Sequence, residues 1–260
     1  MGTNAKKAEK TEEMVKDWRF LIRAILDDKV SRAMCKMLIL LTILLIFCNV
    51  ILYLLAPHSP TAEILFNGIN IMGESSFSER FGHGLSFVAA ILFFGGYATY
   101  GARSLLLGSL LFAFIWFDDS IQYHEKMGTL IDQTVVLPDI RGLRPQDIGE
   151  LIAWAGVGVF FAVFALWTWR RAQPGDRDVL ISIAGIFALL AFCGVALDML
   201  HIAIGPKLAD IVGFFEDGGE LFALCLAAAF AFGVMRVGGS FFQTPSGNAA
   251  DRISSLDALK

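Results

Sequence analysis

The stretch LLLGSLLFAFIWFDDSIQYHEKMG, Leu105–Gly128, passes directly from an apolar segment into a group of acids and a histidine. Its first half carries no charge, and about 20 such residues are enough for a helix to cross a bilayer. Asp118, Asp119, His124 and Glu125 follow where that helix would end. The stretch therefore predicts a transmembrane helix that ends in a group of ionisable side chains.

The composition of the whole chain indicates an integral membrane protein. Of its 260 residues, 56% are hydrophobic, whereas soluble domains average about 45–50%. Six segments are apolar on all sides of the helix, as membrane-spanning helices are. These predicted spans are Met34–Ala56, His83–Tyr100, Ser104–Ile121, Glu150–Trp169, Val179–Leu200 and Asp217–Met235. The sequence thus predicts an all-α integral membrane protein built as a six-transmembrane-helix bundle.

The segments outside the spans are short. Residues 1–33 are predicted to be a cytoplasmic amphipathic segment, residues 34–237 the six-span membrane domain, and residues 238–260 a disordered cytoplasmic tail. In the first segment, apolar residues recur at helical spacing with basic residues between them. The apolar positions are Trp18, Leu21, Ile22, Ile25 and Leu26. This pattern predicts an N-terminal amphipathic helix, either interfacial on an anionic membrane surface or docked on the protein's own loops.

The distribution of positive charge predicts the orientation of the bundle. Of the 21 Lys and Arg residues, all but five lie on the same side as the N-terminus. The five on the opposite side are Arg80, Lys126, Arg141, Arg144 and Lys207. Because cytoplasmic loops carry an excess of Lys and Arg, both termini are predicted to be cytoplasmic. The predicted location is the cell inner (plasma) membrane, in a multi-pass protein.

Many of the remaining ionisable residues gather on the outer side of that topology. Five of the six spans bring acids or histidines there: Glu79, His83, Asp118, Asp119, His124, Glu125, Glu150, Asp198, His201, Glu216, Asp217 and Glu220. Asp118 is only 15 residues from Arg103, and Glu220 only 16 from Arg236. On straight helices both acids therefore lie below the membrane surface. Acids inside a membrane are costly and are usually paired, hydrated or functional.

The helix ends distinguish two kinds of acid in this layer. Glu150, Glu216 and Asp217 are predicted to open spans, where the macrodipole and capping favour an acid. Simple capping is therefore one interpretation of these three residues. Asp118, Asp119 and Asp198 are predicted to close spans, where the dipole disfavours an anion. A metal ion, a protonated histidine or an arginine such as Arg80 is expected to compensate these three carboxylates.

Neutral imidazole and carboxylate groups are ligands for zinc, iron and manganese. The first candidates for metal ligands are His83, Asp118, His124, Asp198, His201 and Glu220. The candidate catalytic acids and bases are Asp119, Glu125 and Glu216, with Glu79 and Asp217 as supporting groups. Asp198 and His201 have the i, i+3 spacing of the ligand pairs in four-helix di-iron bundles. The sequence predicts a divalent-metal site, with Zn, Fe or Mn as the cofactor. Three histidines with carboxylates favour one catalytic zinc, whereas many carboxylates with fewer histidines favour a two-metal site.

Helical geometry divides the stretch that closes the third span. On a straight helix Asp118, Gln122 and Glu125 share a face, whereas His124 points about 120° away from Asp118. The ionisable residues of the stretch can therefore serve one ion only if the helix breaks near Ser120. Without such a break, the stretch is predicted to supply one or two ligands.

The leading functional prediction is a metal-dependent enzyme, a hydrolase or an oxidoreductase, that acts on a membrane lipid or another hydrophobic substrate. The apolar outer segment Ala62–Gly73 is too short to span and favours such a substrate. The alternatives are a transport or ion-conducting protein, an interaction subunit that contacts other membrane subunits, and axial haem ligation by two histidines. No nucleic-acid partner is expected. The four cysteines lie in apolar runs without a CxxC pair and are predicted to be buried free thiols.

Overall fold

The computed structural model describes residues 18–242, except residues 74, 139, 141, 142 and 205. This part of the chain is helical and contains no β-strand. The helices are α1 (Trp18–Asp27), α2 (Lys29–Leu55), α3 (Pro60–Ile69), α4 (Phe77–Tyr100), α5 (Arg103–Ile121), α6 (Tyr123–Thr134), α7 (Pro145–Arg171), α8 (Pro174–Ala191), α9 (Asp198–Ala203), α10 (Pro206–Val237) and α11 (Gly239–Phe242). A 3₁₀ turn, Ala56–His58, extends α2, and a π-helical segment, Phe192–Leu197, joins α8 to α9.

Six of the described helical segments are long and apolar enough to cross a membrane. They are Lys29–His58, Phe77–Tyr100, Arg103–Ile121, Pro145–Arg171, Gly175–Ala203 and Leu208–Val237. Each contains one predicted span, so the prediction of six long apolar helices is confirmed. Many large apolar side chains on their outer surfaces are exposed, as in a helical bundle that faces lipid. The membrane that holds the bundle and the side of each terminus stay predictions.

All the spanning helices except α5 begin at least five residues before the predicted span, and α7 and α10 are the two whose starts concern predicted site residues. α7 begins at Pro145, where Arg144 and Asp147 form a capping box. The Arg144 backbone N–H donates to Asp147 Oδ2 at 2.7 Å, and its guanidinium donates to Oδ1. α10 begins at Pro206, so Glu216 and Asp217 lie inside the helix. The interpretation that these two acids cap the last span is therefore wrong.

The core of the bundle forms around α10, which packs against α2, α4 and α8. Its contact face is made of small residues such as Ala223, Ala227 and Ala231, all at most 1% exposed. Small side chains let membrane helices approach each other closely. Phe93 of α4 stacks on Phe112 of α5 with 5.8 Å between the ring centres. This apolar core lies below the ionisable layer and supports it.

The predicted amphipathic helix is present as α1, and it contacts the bundle. Ile25 is 5% exposed and packs over Gly233 of α10. Asp28 follows α1, caps α2 by accepting from the Ser31 backbone N–H at 2.8 Å, and accepts from the Arg236 guanidinium at 2.8 Å. The bonds from Arg236 and Ser31 hold the pKa of Asp28 well below its usual range. An interfacial position of α1 on the membrane stays a prediction.

The chain termini and the cysteines complete the comparison with the sequence. The predicted disordered tail begins at residue 238, but Gly239–Phe242 forms the short helix α11. Residues 1–17 and 243–260 lie outside the described residues. All four cysteines are free thiols, and two of them, Cys193 and Cys225, are buried.

Candidate functional site

A cavity of about 570 Å³ lies at one end of the bundle, where the predicted ionisable layer gathers. Its lining includes eight carboxyl groups from six helices: Glu79, Asp119, Glu125, Glu150, Asp198, Glu216, Asp217 and Glu220. Two imidazoles, those of His83 and His124, and a single guanidinium, that of Arg144, belong to the described lining. The cavity is therefore strongly acidic and suited to a cation. The individual roles of these residues stay predictions.

A break in the helix reshapes the stretch Leu105–Gly128. α5 ends at Ile121 and α6 begins at Tyr123, while Gln122 between them has φ 54° and ψ 49°. This left-handed conformation is uncommon for a residue other than glycine, and such strain often lies at functional sites. The break turns the chain back on itself. His124 therefore lies beside Asp118 instead of pointing about 120° away from it.

Asp118 and His124 form a buried pair joined by two hydrogen bonds. The His124 backbone N–H donates to Asp118 Oδ1 at 2.9 Å, and His124 Nδ1 lies 2.8 Å from Asp118 Oδ2. Asp118 has 0% exposure and does not line the cavity, whereas the His124 ring does. The ring also packs against Trp154, with 5.8 Å between the ring centres. A carboxylate at Nδ1 fixes the tautomer with its proton there, which leaves Nε2 as the free ring nitrogen.

The charge state of His124 depends on this pair. Burial by itself lowers the pKa of His124, but the hydrogen bond to Asp118 and the charges of Asp118, Glu150 and Glu125 outweigh burial. The net result is a pKa raised above the ordinary value of 6.5. A raised pKa means that the folded protein, through Asp118, stabilises the protonated form of His124 relative to the neutral form.

A pH-dependent loss of stability is expected from this pair. The contribution of protonated His124 is complete below the unfolded pKa of about 6.5 and is lost as the pH rises through the higher folded pKa. Thermal unfolding of the metal-free protein in detergent, between about pH 6 and 9, should show this loss. Asp118→Asn should show a smaller loss than the wild type, because the part due to His124 disappears, whereas His58→Gln, an exposed control outside the cavity, should show the full loss. An unchanged pH profile in Asp118→Asn would contradict the assignment.

A second group of ligating side chains lies where α9 meets α10, and two of its three members, Asp198 and Glu216, line the cavity. Asp198, His201 and Glu216 each offer one ligand atom, and these atoms lie within 4.8 Å of one another. His201 Nδ1 is 3.0 Å from Glu216 Oε2. Gly213 of α10 makes room for this arrangement, because a Cβ there would lie 3.0 Å from His201 Cε1. The structure therefore brings together two predicted metal ligands and one predicted catalytic acid.

The π-helical segment Phe192–Leu197 positions this group. π-helical turns are rare and often occur at functional sites, because the extra residue changes which side chains face inward. Gly194 in this segment lies directly under the carboxyl group of Glu220, so that any side chain at Gly194 would collide with it. The Cys193 thiol packs on Gly219 of α10, where a Cβ would lie 2.5 Å from Sγ. Sequence analysis missed this segment, and the only signal was a glycine inside an apolar run.

Glu79 and His83 form the third part of the lining, on the first turns of α4. His83 Nε2 lies 3.9 Å from Glu79 Oε1 and faces the same cavity. The Ser75 backbone N–H also donates to Glu79, and Ser75 itself has a left-handed φ of 59°. These contacts hold the loop before α4 against the cavity.

Close contact between α6 and α7 holds His124 in place, and sequence analysis missed it. A Cβ on Gly149 would lie 2.5 Å from the carbonyl oxygen of Gly128 and 2.9 Å from its Cα. Both glycines therefore touch through their backbones. Two residues with no side chain leave no hydropathy signal, so only the paired structure reveals their role.

The variant Gly149→Ala is expected to lower the free energy of unfolding by about 2 kcal/mol, because the added methyl group collides with backbone that cannot rotate away. The matched control is Gly156→Ala on the same helix, where a Cβ meets nothing within 4 Å. That control should be neutral or slightly stabilising, since alanine is the better helix former. Thermal unfolding in detergent measures both, and similar midpoints for the two variants would refute the packing argument.

The comparisons with known proteins add one finding. The profile of a protein family described as Domain of unknown function (DUF8692) matches residues 37–234. This range includes every predicted site residue. No curated protein and no solved structure gives a significant match.

Proposed function

Since the chain belongs to the family described as a domain of unknown function, DUF8692, we propose its function from the geometry of the acidic cavity. We propose that the protein is a metal-dependent membrane enzyme that holds a divalent cation between Asp198, His201 and Glu216. The observation that carries the proposal is the approach of three ligand atoms to within 4.8 Å of one another. The expected ion is Zn²⁺ or Mn²⁺, with Fe²⁺ as the third choice.

Electrostatics supports a cation in this position. Two carboxylates as close as those of Asp198 and Glu216 repel each other unless a proton or a cation lies between them. The 3.0 Å between His201 Nδ1 and Glu216 Oε2 also suits two ligands of one ion, since metal–ligand distances are about 2.0–2.2 Å. Six further carboxyl groups line the same cavity and raise the local concentration of cations.

His124 is the proposed general base. In the neutral form of the ring, which prevails above the raised pKa of His124, Asp118 holds the Nδ1 proton and Nε2 is the nitrogen that can accept a proton from a reactant in the cavity. A divalent ion would supply the complementary chemistry by polarising a carbonyl or by increasing the acidity of a water molecule. A histidine held by a carboxylate also serves as a metal ligand in many proteins. Metal affinity therefore has to decide between this role and the ligand role predicted from the sequence.

The proposed reaction is hydrolysis of a lipid or another hydrophobic substrate. The inner wall of the cavity is apolar and is formed by Ile115, Phe187, Leu190, Leu221 and Leu224. An amphiphile can place its chain against this wall while its polar group reaches the ionisable side chains. One imidazole with two carboxylates differs from the two-histidine, one-carboxylate site of non-haem iron oxygenases. With a redox-inactive ion such as Zn²⁺, this donor set would support hydrolysis.

Transport and a purely structural layer are the alternatives. Below the cavity the described core is mainly apolar, with Phe93, Phe112 and Ile183 each at most 1% exposed, and its few buried polar side chains include the hydroxyls of Ser109 and Thr168. Ion pathways usually continue through ionisable or hydrated groups. A closed apolar core therefore favours a blind binding site over a conducting path. If the ionisable residues of the cavity form only a structural layer, the protein needs no metal ion, and this distinguishes that alternative from the proposal.

Elemental analysis tests the proposal. We expect the purified full-length protein to hold about one equivalent of Zn²⁺ or Mn²⁺, removable by a chelator and restored on addition of the ion. The double variant Asp198→Asn/Glu216→Gln should lose this equivalent, whereas Glu63→Gln, an exposed acid outside the cavity, should retain it. A folded wild-type protein that binds no ion would overturn the metalloenzyme proposal and leave the structural layer.

A further inference from the structure

At the opposite end of the bundle from the acidic cavity, two arginines line a second, smaller cavity. Its volume is about 240 Å³, and its walls include Arg103 at the start of α5 and Arg171 at the end of α7. The guanidinium carbon Cζ of each lies 5.1 Å from the centre of the Trp167 ring. The two guanidinium groups that stack on this one indole therefore lie within about 10 Å of each other.

The positive charge of these arginines is only partly balanced within the described lining, where Asp176 is the one carboxylate. Neither guanidinium forms a salt bridge with a described carboxylate. Asp176 also lines the cavity, but it is buried, and its Oδ1 accepts a hydrogen bond from the Ser104 backbone N–H at 3.0 Å. Asp176 thereby satisfies one of the free N–H groups at the start of α5. The cavity is left with an excess of donors and positive charge.

Three aromatic residues contribute to the remaining walls of the cavity. Phe241 and Phe242 of α11 and Tyr100 of α4 lie around it. The Tyr100 ring is 5.3 Å from that of Phe242, and its hydroxyl donates to the Met235 carbonyl at 2.7 Å. These contacts fix the aromatic wall. Cationic groups next to aromatic rings at the end of apolar helices form the usual surroundings of a lipid headgroup.

We propose that this cavity binds the phosphate group of an anionic phospholipid, with Arg103 and Arg171 as the donors. A guanidinium pairs with two phosphate oxygens at once, and basic pockets between spans bind such headgroups. The acyl chains continue along the surface of α7 beside Trp167, where Val163 and Leu166 are exposed. This end of the bundle is the one that the positive residues predict to be cytoplasmic, where anionic lipids are common. The proposal is independent of the chemistry in the acidic cavity.

The test measures the binding of dioctanoyl-phosphatidylglycerol to the full-length protein in detergent by native mass spectrometry. The wild type should bind the lipid, and Arg103→Gln/Arg171→Gln should bind it about 25-fold more weakly, since each arginine contributes about fivefold. The matched control is Arg177→Gln. Arg177 also stacks on an indole, with 5.2 Å from Cζ to the Trp169 ring centre, but it does not line the cavity. The control should keep the wild-type affinity.

Three outcomes would overturn the proposal. The first is an unchanged affinity in the double variant, and the second is an equal loss in Arg177→Gln, which would mean a diffuse charge effect. The third is full displacement of the lipid by an equal concentration of inorganic phosphate, which would mean a site for free phosphate. If the double variant does not fold, the single variant Arg171→Gln replaces it, because that side chain is exposed. An unchanged affinity in the single variant would then overturn the lipid assignment.

Discussion

Asp118→Ala should lower the free energy of unfolding by about 3 kcal/mol. This is the largest stability effect expected for a single substitution at the end of the bundle that holds the acidic cavity. Asp118 is fully buried and accepts both the backbone N–H and the Nδ1 group of His124. Alanine would leave both groups unsatisfied and would remove the contact that stabilises the left-handed turn at Gln122. Thermal unfolding of the metal-free protein in detergent measures the effect.

The adjacent acid provides the matched control. Asp119 lines the cavity and has no hydrogen bond within the described residues, and the carboxylates of Asp118, Glu79 and Glu220 repel it. Asp119→Ala should therefore leave the stability unchanged or raise it by up to about 1 kcal/mol. Two neighbouring acids are expected to differ in the sign of their effect. Equal destabilisation by both variants would show that Asp118 has no special partner.

His201→Ala should reduce the affinity for Zn²⁺ or Mn²⁺ by at least about 100-fold, because it removes the imidazole from the proposed metal site. Asp198 and Glu216 would remain as two carboxylates without a nitrogen ligand. Titration of the chelator-treated protein with the metal ion, followed by calorimetry, gives the affinity. The exposed His58→Ala should bind the ion as the wild type does.

The same titration separates the two roles available to His124. As a general base held by Asp118, it contributes little to the metal site, so His124→Ala should retain the ion with less than about a tenfold change in affinity. A loss as large as that of His201→Ala would make His124 a ligand and would contradict the proposed base. His83→Ala is expected to behave as His124→Ala does, because His83 lies with Glu79 on α4.

The fold was predictable to a large extent because its signals are local. A span shows as a run of apolar residues, and its ionisable end shows as a change in composition within a few residues, as in Leu105–Gly128. Helix starts were less predictable, because Gln146 and Asp147 open α7 without apolar character. The start of α10 at Pro206 changed the position of Glu216 from a helix end to a helix interior.

The pairings in the site were not predictable, because they depend on backbone geometry and on contacts between distant elements. Asp118 meets His124 only because Gln122 adopts a positive φ, a conformation for which glutamine has no preference. His201 meets Glu216 across the junction of α9 and α10, after a π-helical segment that has no clear sequence signature. Helical periodicity assumes a straight helix, so it assigned His124 to the wrong face.

The sequence by itself determined that the chain forms six long apolar helices and that acids and histidines gather at one end of them. The reason is that the cost of placing backbone and charge in lipid depends on composition and helix length alone. Only the tertiary structure decided which of these residues face each other. The left-handed Gln122, the π-helical segment and the contact of Gly128 with Gly149 set the directions of side chains that a linear pattern leaves open.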